Sequence, residues 1–225
     1  GSAMVYVPPA QAPAPYFTTN GMVWPAAVMP VTYRINAAGS ADLPLAEVAA
    51  FSVDDAHTTE IDDAFSVTAK PGGGWRIGIH IAAPGLGFAP DSNLGRIARE
   101  RLSTVYMPGR KITMLPDSAV EQFTLAAGRT VPAISLYLEV ASDLRITAHA
   151  TCLEMVPIAA NLRHHDIEPV FNETTLANGL GEFPYRDELK LLWELAQVLE
   201  AGRGQIRQNN RRDYSYEVDW AQGMN

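Results

Sequence analysis

Residues 51–67, FSVDDAHTTEIDDAFSV, decide how this chain is read. Two short apolar runs, Phe51 with Val53 and Ala64 with Phe65 and Val67, flank a turn holding the acids Asp54, Asp55, Glu60, Asp62 and Asp63. Carboxylates gathered beside a core repel one another and lose hydration, so the cluster is costly unless cations neutralise it. Hard oxygen donors suit magnesium or manganese, and two-metal sites hold their ions about 3.5–4 Å apart through shared carboxylates. The competing reading is a solvated acidic loop between two strands. Because the acids abut residues that belong in a core, a metal site is favoured.

Working outward, Pro71-Gly72-Gly73-Gly74 reads as a turn. The following WRIGIHIAA (75–83) alternates Trp75, Ile77, Ile79 and Ile81 on one face and predicts a strand. Its simplest partner is the strand through Phe65 and Val67, joined as a hairpin. That pairing puts His80 on the opposite face, near the carboxylates, in a second polar layer, or simply satisfied within the sheet. A helix is predicted over Asp91 to Leu102, capped by Asp91 or Ser92, with Leu94, Ile97, Ala98 and Leu102 as its apolar stripe. Arg96, Arg99 and Arg101 lie on its other face, ordinarily a solvated one. VPAISLYLEV (131–140) predicts another strand, partnered by Arg145 to Met155. A long helix is expected from Tyr185 to Gln208, with Leu189, Leu192, Leu195, Val198 or Leu199, and Ile206 on one side. Arg203, Arg207, Arg211 and Arg212 suit the C-terminal end of its dipole or a nucleic-acid backbone. Tyr214, Tyr216 and Trp220 then interleave with acids in a further expected strand.

The N-terminal region differs in composition. Residues 1–4 read as a cloning remnant and residues 5–45 as a Pro/Ala-rich arm or linker. Tyr16, Phe17 and Trp24 would anchor the arm, and VTYRI (31–35) would form a short strand. Residues 46–225 form the expected body. With 47% apolar and 19% charged residues, the chain reads as soluble and globular, and no apolar run approaches the roughly 18 residues a membrane helix needs. Its single cysteine, Cys152, excludes an internal disulfide, fits a reducing cytosol, and lies in an apolar run that predicts a packed thiol. No CxxC pair exists, which argues against structural zinc, and the adjacent His164 and His165 diverge in direction. A net charge of −8 argues against a protein that coats nucleic acid, though an acidic nuclease site is compatible with it.

The spacing of Asp54, Glu60, Asp62 and Asp63 resembles a signature of the ribonuclease II/RNase R (RNB) family. A second stretch, STVYMPGRKITMLP (103–116), resembles another signature of that family. The resemblance spans about residues 42 to 220. It implies a mixed α+β catalytic core, a largely antiparallel sheet with packed helices, that hydrolyses single-stranded RNA from the 3′ end and releases nucleoside 5′-monophosphates. It further implies an enzyme using magnesium or manganese, with no DNA as natural substrate; the lone cysteine and the lack of a spanning run add the expectation of a cytoplasmic protein with no membrane partner. Asp54 and Asp63 would hold the metal with Glu60 assisting. Asp62, the acid least dispensable for chemistry, would hold a second metal and the attacking water. Tyr106 would stack on a base, a contact worth about 1–3 kcal/mol, while Arg110 and Lys111 meet phosphates.

Several positions depart from the family pattern. Glu60 stands where Asp is usual, HIAA at 80–83 replaces HIAD, and His165 falls where a tyrosine is common. The second half of the catalytic domain, with its arginine-rich motif, is not recognisable before Asn225, so residues 46–225 read as a partial domain. Two functions therefore stand as expectations: the exoribonuclease itself, or a catalytically incomplete RNA-binding module of the same fold.

Overall fold

Alternating apolar and small residues on either side of the acidic turn build strands in a computed structural model of the chain, which describes residues 3–5, 33–35, 43–107 and 110–202. The expected anchors Tyr16, Phe17 and Trp24, Pro108 and Gly109 of the second signature, the arginines from Arg203 onward, Ile206 and the Tyr214–Trp220 strand lie outside the described residues. In chain order the strands are β1 (Ala3–Val5), β2 (Tyr33–Ile35), β3 (Ala50–Asp54), β4 (Asp63–Ala69) and β5 (Trp75–Ala82). Helix α1 (Asn93–Arg101), β6 (Val105–Met107), β7 (Arg110–Ile112) and α2 (Asp117–Phe123) follow. Then come β8 (Thr130–Val140), β9 (Ile146–Arg163), α3 (His164–Ile167), α4 (Glu173–Asn178) and α5 (Arg186–Gly202). The chain divides into two units, one of residues 39–84 and 121–206, the other of residues 1–38, 85–120 and 207–225.

The unit containing the acids is a closed barrel in the order β3-β4-β5-β8-β9. The predicted hairpin of β4 with β5 is present, running from Asp63↔Ile81 to Ala69↔Trp75. β5 pairs antiparallel with β8, and β8 with β9. Closure comes from β9, whose far end runs parallel to β3 from Ala50↔Ile158 to Asp54↔Arg163. All other pairings in the barrel are antiparallel, as expected of the sheet.

Alternation divides the barrel residues into inward and outward sets. Ala50, Ala64, Val131, Ala133, Val156 and Ile158 pack with Ile61 and Leu125 into an apolar plug. On the outside, Ile77 and Val140 pack against Leu191 and Leu195 of α5. Leu189 and Leu192 are only partly buried, and Val198 and Leu199 are exposed, so the packed face of α5 is narrower than the leucine pattern predicts. The ring of Phe51 meets that of Tyr185, just before α5, at 4.4 Å. Residues 44–46 also belong to this unit: Met155 donates its backbone N–H to the Pro44 carbonyl, and Ala46 donates to that of Met155. The body therefore begins slightly earlier than residue 46.

The other unit holds β1 paired antiparallel with β2, so Ala3 and Met4, set aside as a remnant, take part in strand pairing. It also holds α1 and the β6–β7 hairpin. Ser92 caps α1, its Oγ accepting from the Gly95 N–H at 3.1 Å. Two expectations for this helix fail. Leu102 adopts a positive φ at its end and is exposed. Arg101 is partly buried, donating to the Thr113 carbonyl at 2.6 Å, because that carbonyl lies within its reach. Cys152 is likewise exposed: residues 147–153 of β9 are all exposed, with no covering layer among the described residues, so an apolar pattern there does not produce a packed thiol.

Candidate active site

β3 ends on Asp54 and β4 begins on Asp63, and these strands are neighbours, so the intervening loop returns both acids to one end of the barrel. The loop is held by its backbone. The Thr58 N–H donates to the Asp55 carbonyl, the Ile61 N–H to Thr124 Oγ1 at 2.9 Å, and the Leu125 N–H to the Ile61 carbonyl at 2.8 Å. Ala82 donates to the Asp62 carbonyl at 2.9 Å. Burial of Ile61 thus anchors the chain immediately before Asp62, whose side chain and that of Asp63 are exposed. Glu60, two residues before Asp62, is partly buried.

Asp54 differs from these. It is 9% exposed, and its Oδ2 accepts the Ser52 hydroxyl at 2.5 Å. Asn161 Nδ2 donates to the same Ser52 oxygen at 2.9 Å. Arg163, opposite Asp54 on β9, donates to the carbonyls of Asp55 and Thr58. None of Ser52, Asn161 and Arg163 was singled out from sequence. For Ser52 a signal existed, because a residue two before Asp54 on a strand shares its face; Asn161 and Arg163 are brought near only by barrel closure.

The Asp63 carboxyl is pushed up from its ordinary value, first by partial burial and then by the charges of Asp62 and Asp54. Among the described residues, no three His, Cys, Asp or Glu side chains are arranged as a ready metal site. The donor chemistry nonetheless fits a hard divalent cation: the set is anionic, offers oxygen only, and combines one fixed acid with two exposed ones free to turn toward an ion. Ala83, where a carboxylate was expected from the family pattern, presents a buried methyl.

His80 is not part of this cluster. It is fully buried, with Nε2 2.8 Å from Ser66 Oγ and Nδ1 2.7 Å from Ser135 Oγ. Desolvation lowers its pKa to about 4, opposed by the charge of Glu154. Tyr137, edge-on to His80, donates its hydroxyl to Glu154 Oε1 at 2.6 Å, and the Arg76 guanidinium lies 3.9 Å over its ring. The histidine is satisfied within the sheet.

In the other unit, the β6–β7 hairpin sets Tyr106 opposite Lys111 and Met107 opposite Arg110. Arg110 and Lys111 thus belong to β7. Tyr106 is 73% exposed, so it is not a core tyrosine. His165 is exposed on α3, 3.3 Å from the neighbouring Asp166 carboxylate.

The RNB domain family model matches residues 43–223. This chain belongs to the RNB family. Exoribonuclease 2 of Vibrio vulnificus strain YJ016 is 37% identical over 93 residues, covering 41% of this chain and 14% of that protein. Among solved structures, Mycoplasma genitalium RNase R in complex with ribose-methylated single-stranded RNA superposes with a TM-score of 0.61 at 18% identity, covering 72% of this chain and 25% of that one. Yeast Ssd1, a pseudonuclease, superposes with a TM-score of 0.61 at 19% identity, covering 74% and 20%. At such identities the structural likeness establishes the RNB fold, which active and inactive proteins share. The chain spans only a small part of the length of these relatives. No helix among its described residues is long and apolar enough to cross a membrane.

Proposed function

We propose that this RNB chain is part of a cytoplasmic, metal-dependent exoribonuclease that hydrolyses single-stranded RNA from the 3′ end and releases nucleoside 5′-monophosphates. The observation that carries this reading is geometric: neighbouring strands β3 and β4 bring Asp54, at the end of one, and Asp63, at the start of the other and next to Asp62, to one end of the barrel, and gathered carboxylates are costly unless a cation offsets them. Asp54, Asp62 and Asp63, with Glu60 assisting, would hold magnesium or manganese. A divalent cation supplies Lewis-acid charge at the phosphate and eases ionisation of the attacking water. The protein's own share is placement: Asp54 is immobilised, the backbone of Asp62 is pinned through Ala82, and an exposed Tyr106 offers a face for base stacking. Arg110 and Lys111 on the same hairpin would meet the phosphates.

A second reading is an RNA-binding module without turnover. It is favoured by Ala83, which lacks a carboxylate, and by a fold shared with a pseudonuclease. Incubating 5′-labelled single-stranded RNA with the protein in magnesium and in EDTA separates the two. Exonuclease activity predicts a ladder shortening from the 3′ end that disappears in EDTA and in Asp62→Asn, while RNA affinity stays nearly unchanged. Bound RNA without products supports the second reading. An equally active Asp62→Asn would remove the proposed site. Under either reading Tyr106→Ala should weaken RNA binding by about 1–3 kcal/mol per lost stack, read by fluorescence anisotropy.

A further inference from the structure

Asp54 is held by a chain of hydrogen bonds whose direction is fixed from its far end. Asn161 is anchored through its amide: Oδ1 accepts the Ala127 N–H at 2.7 Å, and Nδ2 donates to the Leu125 carbonyl at 2.9 Å and to the Ala160 carbonyl at 3.3 Å. These backbone partners fix which end of the amide is nitrogen; its two hydrogens serve the two 2.9 Å acceptors, the Leu125 carbonyl and Ser52 Oγ, with the Ala160 carbonyl a longer third contact, and a nitrogen without a lone pair to offer can only donate toward Ser52. Ser52 Oγ accepts that hydrogen at 2.9 Å, and its own proton goes to Asp54 Oδ2 at 2.5 Å. Ser52 is itself buried.

We propose that Ser52 and Asn161 are positioning residues for the site: they lock the nearly buried Asp54 carboxylate in one orientation, occupying Oδ2 and leaving Oδ1 to face a cation. Asp62 and Asp63 are exposed and must be ordered by the ion itself, so Asp54 is the fixed point against which they close. Outer partners of metal-holding carboxylates typically change metal affinity or activity by about 10–100-fold when lost. The proposal rests on the exoribonuclease reading above and deepens it.

The test uses a pair that shares shape and differs in one hydroxyl, Ser52→Thr and Ser52→Val, measured with Ser52→Ala and wild type. Mn2+ affinity is read by isothermal titration without RNA. kcat and KM are read on labelled RNA, and folding by thermal melting. Ser52→Thr should bind Mn2+ within about twofold of wild type. Ser52→Val should bind it about 10–100-fold more weakly and lose kcat in the same range, with KM for RNA little changed. If Ser52→Ala fails to fold, the Thr and Val pair still decides. Equal Mn2+ affinity and kcat for Thr and Val would overturn the positioning role while leaving the acidic site standing. A wild-type protein that binds no Mn2+ would overturn both the proposed site and this role.

Discussion

His80 and Asp54 are both buried polar residues on the inward faces of one barrel, yet their surroundings differ in kind. Around His80 each ring nitrogen has a serine hydroxyl, Tyr137 has Glu154, and desolvation keeps the imidazole neutral. At the Asp54 end of the barrel stand two more acids, Asp62 and Asp63, and the Asp63 carboxyl is pushed up first by desolvation and then by the charges of Asp62 and Asp54. A polar layer whose partners are complete is part of the fold, because burial then costs little. A cluster of like charges left to repel is a place built for something from outside. The difference lies in completeness of partners, not in residue type.

Acid titration should sharpen this contrast most. The folded pKa of His80, about 4, lies below its ordinary 6.5, so between those values the unfolded chain takes a proton that the barrel refuses. The contribution of His80 is therefore whole above about 6.5 and lost as pH falls toward 4, a total of about 3 kcal/mol by linkage. Asp63 works in the opposite sense: its raised pKa means that acidification relieves the repulsion. Denaturant melts from pH 7 to 4 should show falling stability in wild type and a flattened slope in His80→Gln. An unchanged slope in the variant would mean that the layer is not neutral.

A nearly equal effect is expected from the other region. Mn2+ at about 100 times its dissociation constant should stabilise the wild type by about 2.7 kcal/mol, and Asp54→Asn should lose most of that gain. If His80→Gln lost it too, the two regions would not be separable. Next comes Gly78→Ala. A methyl there would meet Ser66 Oγ at 2.4 Å and His80 Nε2 at 2.6 Å, so only glycine lets the imidazole fold back to its serine. Overpacking of this kind costs about 1–3 kcal/mol, and thermal melting should show it with Mn2+ affinity unchanged. Smallest is Lys70→Ala, which removes the Lys70–Glu139 pair at 2.6 Å between partly exposed side chains. It should change stability by about 0–1 kcal/mol in a denaturant melt.

Much of this was legible in the chain itself. The period-two pattern of residues 75–83 and 131–140 predicted β5 and β8, the turn at Pro71–Gly74 predicted the β4–β5 hairpin, and Ser92 marked the start of α1. The acids were visible because their clustering is local. What local pattern could not reveal was set by distant contacts. Closure of the sheet depends on β9 reaching β3, and nothing in either strand announces the other. Asn161 is one polar residue in a long strand until that pairing brings it to Ser52. Cys152 misled for the same reason: an apolar run shows what a strand can bury, not whether a layer exists to cover it.

The pairing of β9 with β3 also bears on how the barrel assembles. The β4–β5 and β8–β9 hairpins join nearby residues and can form early, whereas Ala50 must find Ile158 far along the chain, past the whole of residues 85–120. Such a long loop closure slows folding. Until it happens, β3 and the far end of β9 are unpaired edges, open to strands of other chains. A ribosome that has not yet released Arg163 therefore holds an open sheet rather than a barrel, and the last residues of β9 decide when this surface stops being sticky.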